Sequence, residues 1–137
     1  MQYWLMKSEP DVFSYDDLVK KGKEHWDGVR NYTARNNMRA MKKGDTALFY
    51  HSNTDKAVVG IMNIVKEAYQ DPTTEEIAWV CVDVAPKEKL KNPVTLAAIK
   101  ANPKLAEIKL VKQGRLSVCD ITKAEFEEII RMSKKGV

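Results

Sequence analysis

Cysteine and histidine are scarce, with two of each among 137 residues. Two cysteines make no disulfide framework. Cys81 (WVCVDV) and Cys119 (RLSVCDI) each sit in an apolar, strand-like run, where a thiol serves as a small buried hydrophobe. His25 and His51 form no HxxxH or HxH spacing and there is no CxxC, so neither a metal site nor a cofactor is expected. No apolar run approaches the ~20 residues of a membrane helix. The N-terminal stretch meets Glu9 and Pro10 too early for a signal peptide. A cytoplasmic protein is expected, or a nuclear one if the source has a nucleus. GxSxG, Walker and GxGxxG signatures are missing. His51 beside Ser52 is no triad, because neighbouring strand residues face opposite ways. No catalytic residue is assigned.

What is present is an ordinary globular composition, 44% hydrophobic and 31% charged. The length suits one domain, residues 1–137, with a core that needs no staples. Lys plus Arg number 23 against 19 Asp plus Glu, a net +4, and the excess is unevenly spread. Between Gly28 and Gly44 lie Arg30, Arg35, Arg39, Lys42 and Lys43 with no acid; between Ile108 and Cys119 lie Lys109, Lys112 and Arg115, again with none. Segregation of this kind can present a positive face to nucleic acid or be a solvated surface, and charge alone leaves both open.

Tyr3–Lys7 reads as a first strand. Ser14 with Asp17 resembles a capping box opening a helix that stops at Gly22. Asn31 suits the N-cap of a helix from Tyr32 to about Met41, with Ala34, Met38 and Met41 inward and Arg35, Arg39 and Lys42 on the adjacent stripe. Thr46–Ser52 and Lys56–Val65 form a hairpin linked at Asn53-Thr54-Asp55. Gly60 interrupts an apolar run, which suggests a bulge or a close backbone approach. Ile77–Ala85 is a further strand. Thr95 caps a helix stopped at Pro103, Leu116–Ile121 is the last strand, and Thr122 with Glu125 opens the closing helix. The order favours α+β with a mostly antiparallel, curled sheet.

One stretch carries chemistry. Trp26 precedes an Asp-Gly turn and is followed by Arg30, Asn31 and Tyr32. A flat apolar face, a planar amide and a cation together suit a nucleobase, by stacking and edge hydrogen bonds. Trp26 can equally plug one end of a barrel, and Trp4 and Trp79, inside strands, read as core.

Four strings carry a resemblance: WLMKSEP at Trp4–Pro10, WDGVRNYTARNNMRAMKKGD at Trp26–Asp45, FYHSN at Phe49–Asn53 followed by the glycine of VVGI, and LVKQGRLSV at Leu110–Val118. In this order they resemble EVE-domain proteins across about residues 1–131. The resemblance implies a PUA-like fold, a small curled β-barrel with surrounding helices, and a likeness to YTH domains, which hold a methylated base. It implies a base pocket drawn from Lys7, Ser8, Trp26, Val29, Asn31, Tyr32, Arg35, Asn36, Tyr50, His51 and Ser52.

The expected function is therefore a noncatalytic module that recognises a modified base in DNA or RNA. Trp26 stacks, Ser8 and Asn31 bond the base edge, and Arg30, Arg35, Arg39, Lys42 and Arg115 hold phosphates. A hydrolase or base-processing enzyme using the same pocket is the alternative, with His51 as its candidate titrating group. An interaction domain gripping a peptide or small molecule is a third.

Overall fold

The computed structural model describes residues 1–53 and 56–135. Six strands make one sheet: β1 (Tyr3–Ser8), β2 (Glu24–His25), β3 (Thr46–His51), β4 (Ala57–Gln70), β5 (Val80–Thr95) and β6 (Val118–Ile121), in the order β2-β5-β4-β3-β1-β6. Only β1 and β3 run parallel. A parallel pair needs a long crossover, and here it carries α1 (Tyr15–Lys21), β2 and α2 (Tyr32–Ala40). The later helices are α3 (Leu96–Ala101), α4 (Lys109–Lys112) and α5 (Lys123–Lys135), with a 3-10 turn at Pro103–Leu105. No helix among the described residues is long and apolar enough to cross a membrane.

The expected α+β class and mostly antiparallel sheet are present. The implied barrel is not closed: among the described residues no ladder joins β2 to β6. All six residues of β3 are buried, the mark of a strand covered on both faces. The β4–β5 hairpin has four register shifts, and bulges of this kind raise local twist.

Caps form where the side chains allow them. The Ser14–Asp17 box is reciprocal, Asn31 accepts from the Ala34 amide at 2.9 Å, and Thr95 accepts from Ala98 at 3.1 Å. Thr122 and Glu125 exchange bonds at 2.8 and 3.0 Å.

The Gly60 expectation is met in both senses. The register shifts beside it, and a Cβ there would collide with the Tyr15 ring. Tyr15 is fully buried, meets Phe49 edge-on at 5.4 Å and donates its hydroxyl to the Ile61 carbonyl at 2.8 Å. Helix α1 is thereby pinned to the sheet.

Three expectations shift. Strand β4 continues past Val65 to Gln70, and β5 runs on through Pro86 and Pro93 to Thr95. Pro86 falls at a register shift opposite Met62, and β2 flanks β5 only at Asp83 and Val84, so neither proline removes a needed ladder bond. Strand β5 begins at Val80, leaving Trp79 in the turn before it. At the β3–β4 link, Thr54 and Asp55 lie outside the described residues.

Candidate functional site

The loop from Asp27 to Arg30 is held from beneath by a buried carboxylate. Asp71 accepts from the Gly28 amide at 2.7 Å, Arg30 Nη1 at 3.0 Å, the Thr73 amide at 2.7 Å and the Thr73 hydroxyl at 2.6 Å. Burial by itself would raise the Asp71 carboxyl, but these donors outweigh it and hold it down at about 2. Gly28, at φ +74°, makes the turn that brings its amide to Asp71; a positive φ suits glycine.

That loop follows Trp26. The Trp26 amide donates to the Val82 carbonyl at 2.7 Å, and its ring meets Phe49 edge-on at 5.4 Å. The residue is only 8% exposed, yet it lines a cleft of about 310 Å³ with Lys7, Ser8, Phe13, His25 and Asp27. The ring thus packs on the core and also walls a hollow. The hollow is at the small end of small-molecule sites.

Its polar groups differ in what they offer. The Ser8 hydroxyl donates to the Phe13 carbonyl at 2.6 Å, so its oxygen is left as an acceptor. Lys7 Nζ donates to the Gly114 carbonyl at 2.7 Å and lies 6.0 Å from the Tyr50 ring centroid; burial lowers its pKa. Asp27 faces His25 Nε2 at 3.0 Å, and Glu24 faces His25 Nδ1 at 3.3 Å. Phe13, His25 and Asp27 were not anticipated from sequence. His25 and Asp27 depend on β2 pairing with β5, a two-residue strand that leaves no periodicity to read, and Phe13 is held in the turn before α1 by Glu9 and Ser8.

The other expected pocket residues are distributed elsewhere. Asn31, whose carbonyl oxygen caps α2, lines a separate hollow with Thr33, Gln113 and Arg115. Tyr50 and Ser52 line a third hollow, which Lys7 also walls. Burial raises the Tyr50 hydroxyl pKa. Val29 packs in the core. His51 Nε2 accepts from the Tyr15 amide at 3.1 Å, and its ring meets Phe49 edge-on at 5.5 Å.

Tyr32 is 64% exposed and stacks at 5.1 Å on Trp79, away from the cleft lining. The Arg35 guanidinium sits 4.9 Å from Tyr32 and 5.9 Å from Trp79. It also bonds Asn36 Oδ1 at 2.9 Å and the Ala78 carbonyl at 3.4 Å. Trp79, expected as core, is half-buried in this cation–aromatic stack, with Arg30 5.6 Å away. Of the expected phosphate groups, Arg30 is turned onto Asp71 and Thr73. Arg39 reaches the Ala78 carbonyl at 3.4 Å, Lys42 is exposed beyond α2, and Arg115 lines the Asn31 hollow.

Both cysteines are buried as expected. Burial raises the Cys81 thiol and pushes Cys119 up to about 12. Among the described residues no cluster of His, Cys, Asp and Glu could hold a metal ion.

Comparison with known proteins places this geometry. The sequence profile of the EVE domain matches residues 2–132. Human thymocyte nuclear protein 1 is 36% identical, over 97% of this chain and 74% of its own length. An NMR structure from Rhodopseudomonas palustris is 49% identical with a TM-score of 0.93, covering 98% of this chain and 94% of its own. A crystal structure of the human THYN1 protein, solved in complex with 5-methylcytosine-containing DNA, is 36% identical with a TM-score of 0.91 and covers 98% of each chain. The chain belongs to the EVE-domain family.

Proposed function

We propose that this protein is a noncatalytic module that binds nucleic acid by taking one modified base into the Trp26 cleft. The observation that carries the reading is the cleft itself: an indole wall beside the Ser8 hydroxyl, the Asp27 carboxylate and the Lys7 ammonium. An aromatic plane stacks a base with about 1–3 kcal/mol. A hydroxyl, a carboxylate and an ammonium read donors and acceptors along its edge. The human relative bound to 5-methylcytosine-containing DNA makes 5-methylcytosine the first ligand to test. A base inside a duplex has to be flipped out to enter such a hollow.

The residues divide by placement. Lys7, Ser8, Trp26 and Asp27 contact the base, and Arg115 holds a phosphate. Asn31, Arg30 and Arg35 shape the loop and helix around them, and His51 braces α1 against β3. A role without catalysis is supported by the high Cys119 thiol pKa and by the engagement of His51 Nε2 with backbone. We further read residues 1–137 as one domain whose bulged sheet curls in the PUA-like manner, working where nucleic acid is found, in the cytoplasm or nucleus.

The test is equilibrium binding to short DNA oligonucleotides that carry or lack one 5-methylcytosine. Tighter binding of the methylated form supports the reading, and equal binding of both removes it.

A further inference from the structure

Lys7 belongs to two hollows. On one side is the Trp26 cleft. On the other is a groove of about 290 Å³ between the end of β3, α3 and α4, walled by Tyr50, Ser52, Lys56, Lys100 and Gly114. Gly114 in turn also walls the hollow of about 320 Å³ that holds Asn31, Thr33 and Arg115. The Lys7–Gly114 hydrogen bond of 2.7 Å thus joins two shared walls: Lys7 stands between the Trp26 cleft and the groove, and Gly114 between the groove and the Asn31 hollow. The three hollows are neighbours in that order.

The chemistry changes along it. The Trp26 cleft contains the carboxylates of Glu24 and Asp27. The next two hollows are lined by Lys7, Lys56, Lys100 and Arg115 and, among the described residues, by no carboxylate. Some exposed lysines elsewhere are paired, Lys89 with Asp16, Lys109 with Asp120 and Lys112 with Glu107, and others, such as Lys20 and Lys42, have no ion pair among the described residues. Lys56 and Lys100 make no ion pair among the described residues, and both are exposed. Like charges gathered along a concave wall repel one another and raise the local concentration of a polyanion. Leu96, Leu110 and Val111 add an apolar lining, against which sugar carbons can pack.

We propose that this groove is the track of the sugar–phosphate backbone leading away from the base in the Trp26 cleft, with Lys56 and Lys100 each neutralising a phosphate and Arg115 a third further along. The proposal rests on the base-binding reading and adds to it a direction and two residues that the basic stripe on α2 did not supply. Arg30, Arg39 and Lys42 line none of the three hollows.

The experiment measures binding of a fluorescent DNA oligonucleotide with one 5-methylcytosine, and of its unmethylated twin, across a salt series. Both are used single-stranded and as duplexes. Wild type is compared with Lys56→Gln/Lys100→Gln and with Arg39→Gln/Lys42→Gln. The groove pair is expected to flatten the salt slope by about 1.4 on single strands and about 1.8 on duplexes. It should weaken both oligonucleotides by the same factor, leaving the methylation preference unchanged, while the α2 pair keeps the wild-type slope. An unchanged slope in the groove pair, with wild-type binding intact, overturns the track and leaves the base pocket standing. A changed methylation preference with no change in slope also overturns it, since the lysines would then read the base. Failure of the wild type to bind any of the oligonucleotides overturns the base-binding reading and the track together.

Discussion

Asp71 lies beneath the Trp26 loop and bonds the Gly28 amide at 2.7 Å and Arg30 Nη1 at 3.0 Å, so a residue on the β4–β5 turn holds the loop that follows Trp26. Its carboxyl titrates at about 2 when folded, below the ordinary 3.8. The native state therefore keeps this charge where the unfolded chain would take up a proton. The resulting stabilisation, on the order of 2 kcal/mol, is complete above about pH 5 and is lost as pH falls through about 2. Asp71→Asn should lower stability by about that amount at neutral pH, and the gap from wild type should close across this acid window. Urea unfolding between pH 6 and 2 measures it; a gap that stays constant with pH would show that the Asp71 charge has no part in holding the loop.

Gly60→Ala is expected to destabilise the protein by about 1–3 kcal/mol or more. The new methyl would enter the Tyr15 ring, which is fully buried and hydrogen-bonded and has no room to yield. Tyr15→Phe, which removes only the hydroxyl bond to Ile61, should cost about 0.5–1.5 kcal/mol. Denaturation midpoints rank the two, and a neutral Gly60→Ala would mean that α1 sits less tightly on β4 than described.

In the proposed base-binding role, the position of Asp27 in the cleft suits it to accept from an exocyclic amino group, such as N4 of a cytosine. Asp27→Asn replaces a pure acceptor with a group that also donates. Preference for an oligonucleotide with 5-methylcytosine over one with thymine at the same site should fall roughly tenfold. Competition binding reads this directly, and an unchanged preference would remove Asp27 from the edge contacts.

The helices were legible because their caps are local: Ser14, Asn31, Thr95 and Thr122 each act on an amide three residues away. Gly60 announced a close approach, though nothing local named Tyr15 as its partner. The sequence pattern makes the β4–β5 hairpin look shorter than it is, because Lys66, Glu67 and Lys87–Lys89 are charged and exposed and two prolines interrupt β5; only the bulged pairing explains their tolerance. Within the site, Trp26 is readable from the residues that follow it, and Ser8 only through the resemblance to EVE-domain proteins. Arg35 follows Asn31 by one helical turn and was expected beside Trp26; it lies instead on Tyr32 and Trp79, because Trp79 arrives from more than forty residues away along the chain. Lys56 and Lys100 carry no local signal, since only the fold brings the start of β4 and the end of α3 to one groove.

The central claim is that the Trp26 cleft recognises a modified base. Wild type and Trp26→Phe, which keeps an aromatic ring against Phe49, should be titrated with oligonucleotides that differ by the single methyl of one 5-methylcytosine. A buried methyl contributes about 0.8 kcal/mol, so wild type should prefer the methylated oligonucleotide by about fourfold or more. In the folded Trp26→Phe protein the smaller stacking surface should reduce that preference. Equal affinity of wild type for the two oligonucleotides, or an undiminished preference in Trp26→Phe, would contradict the account.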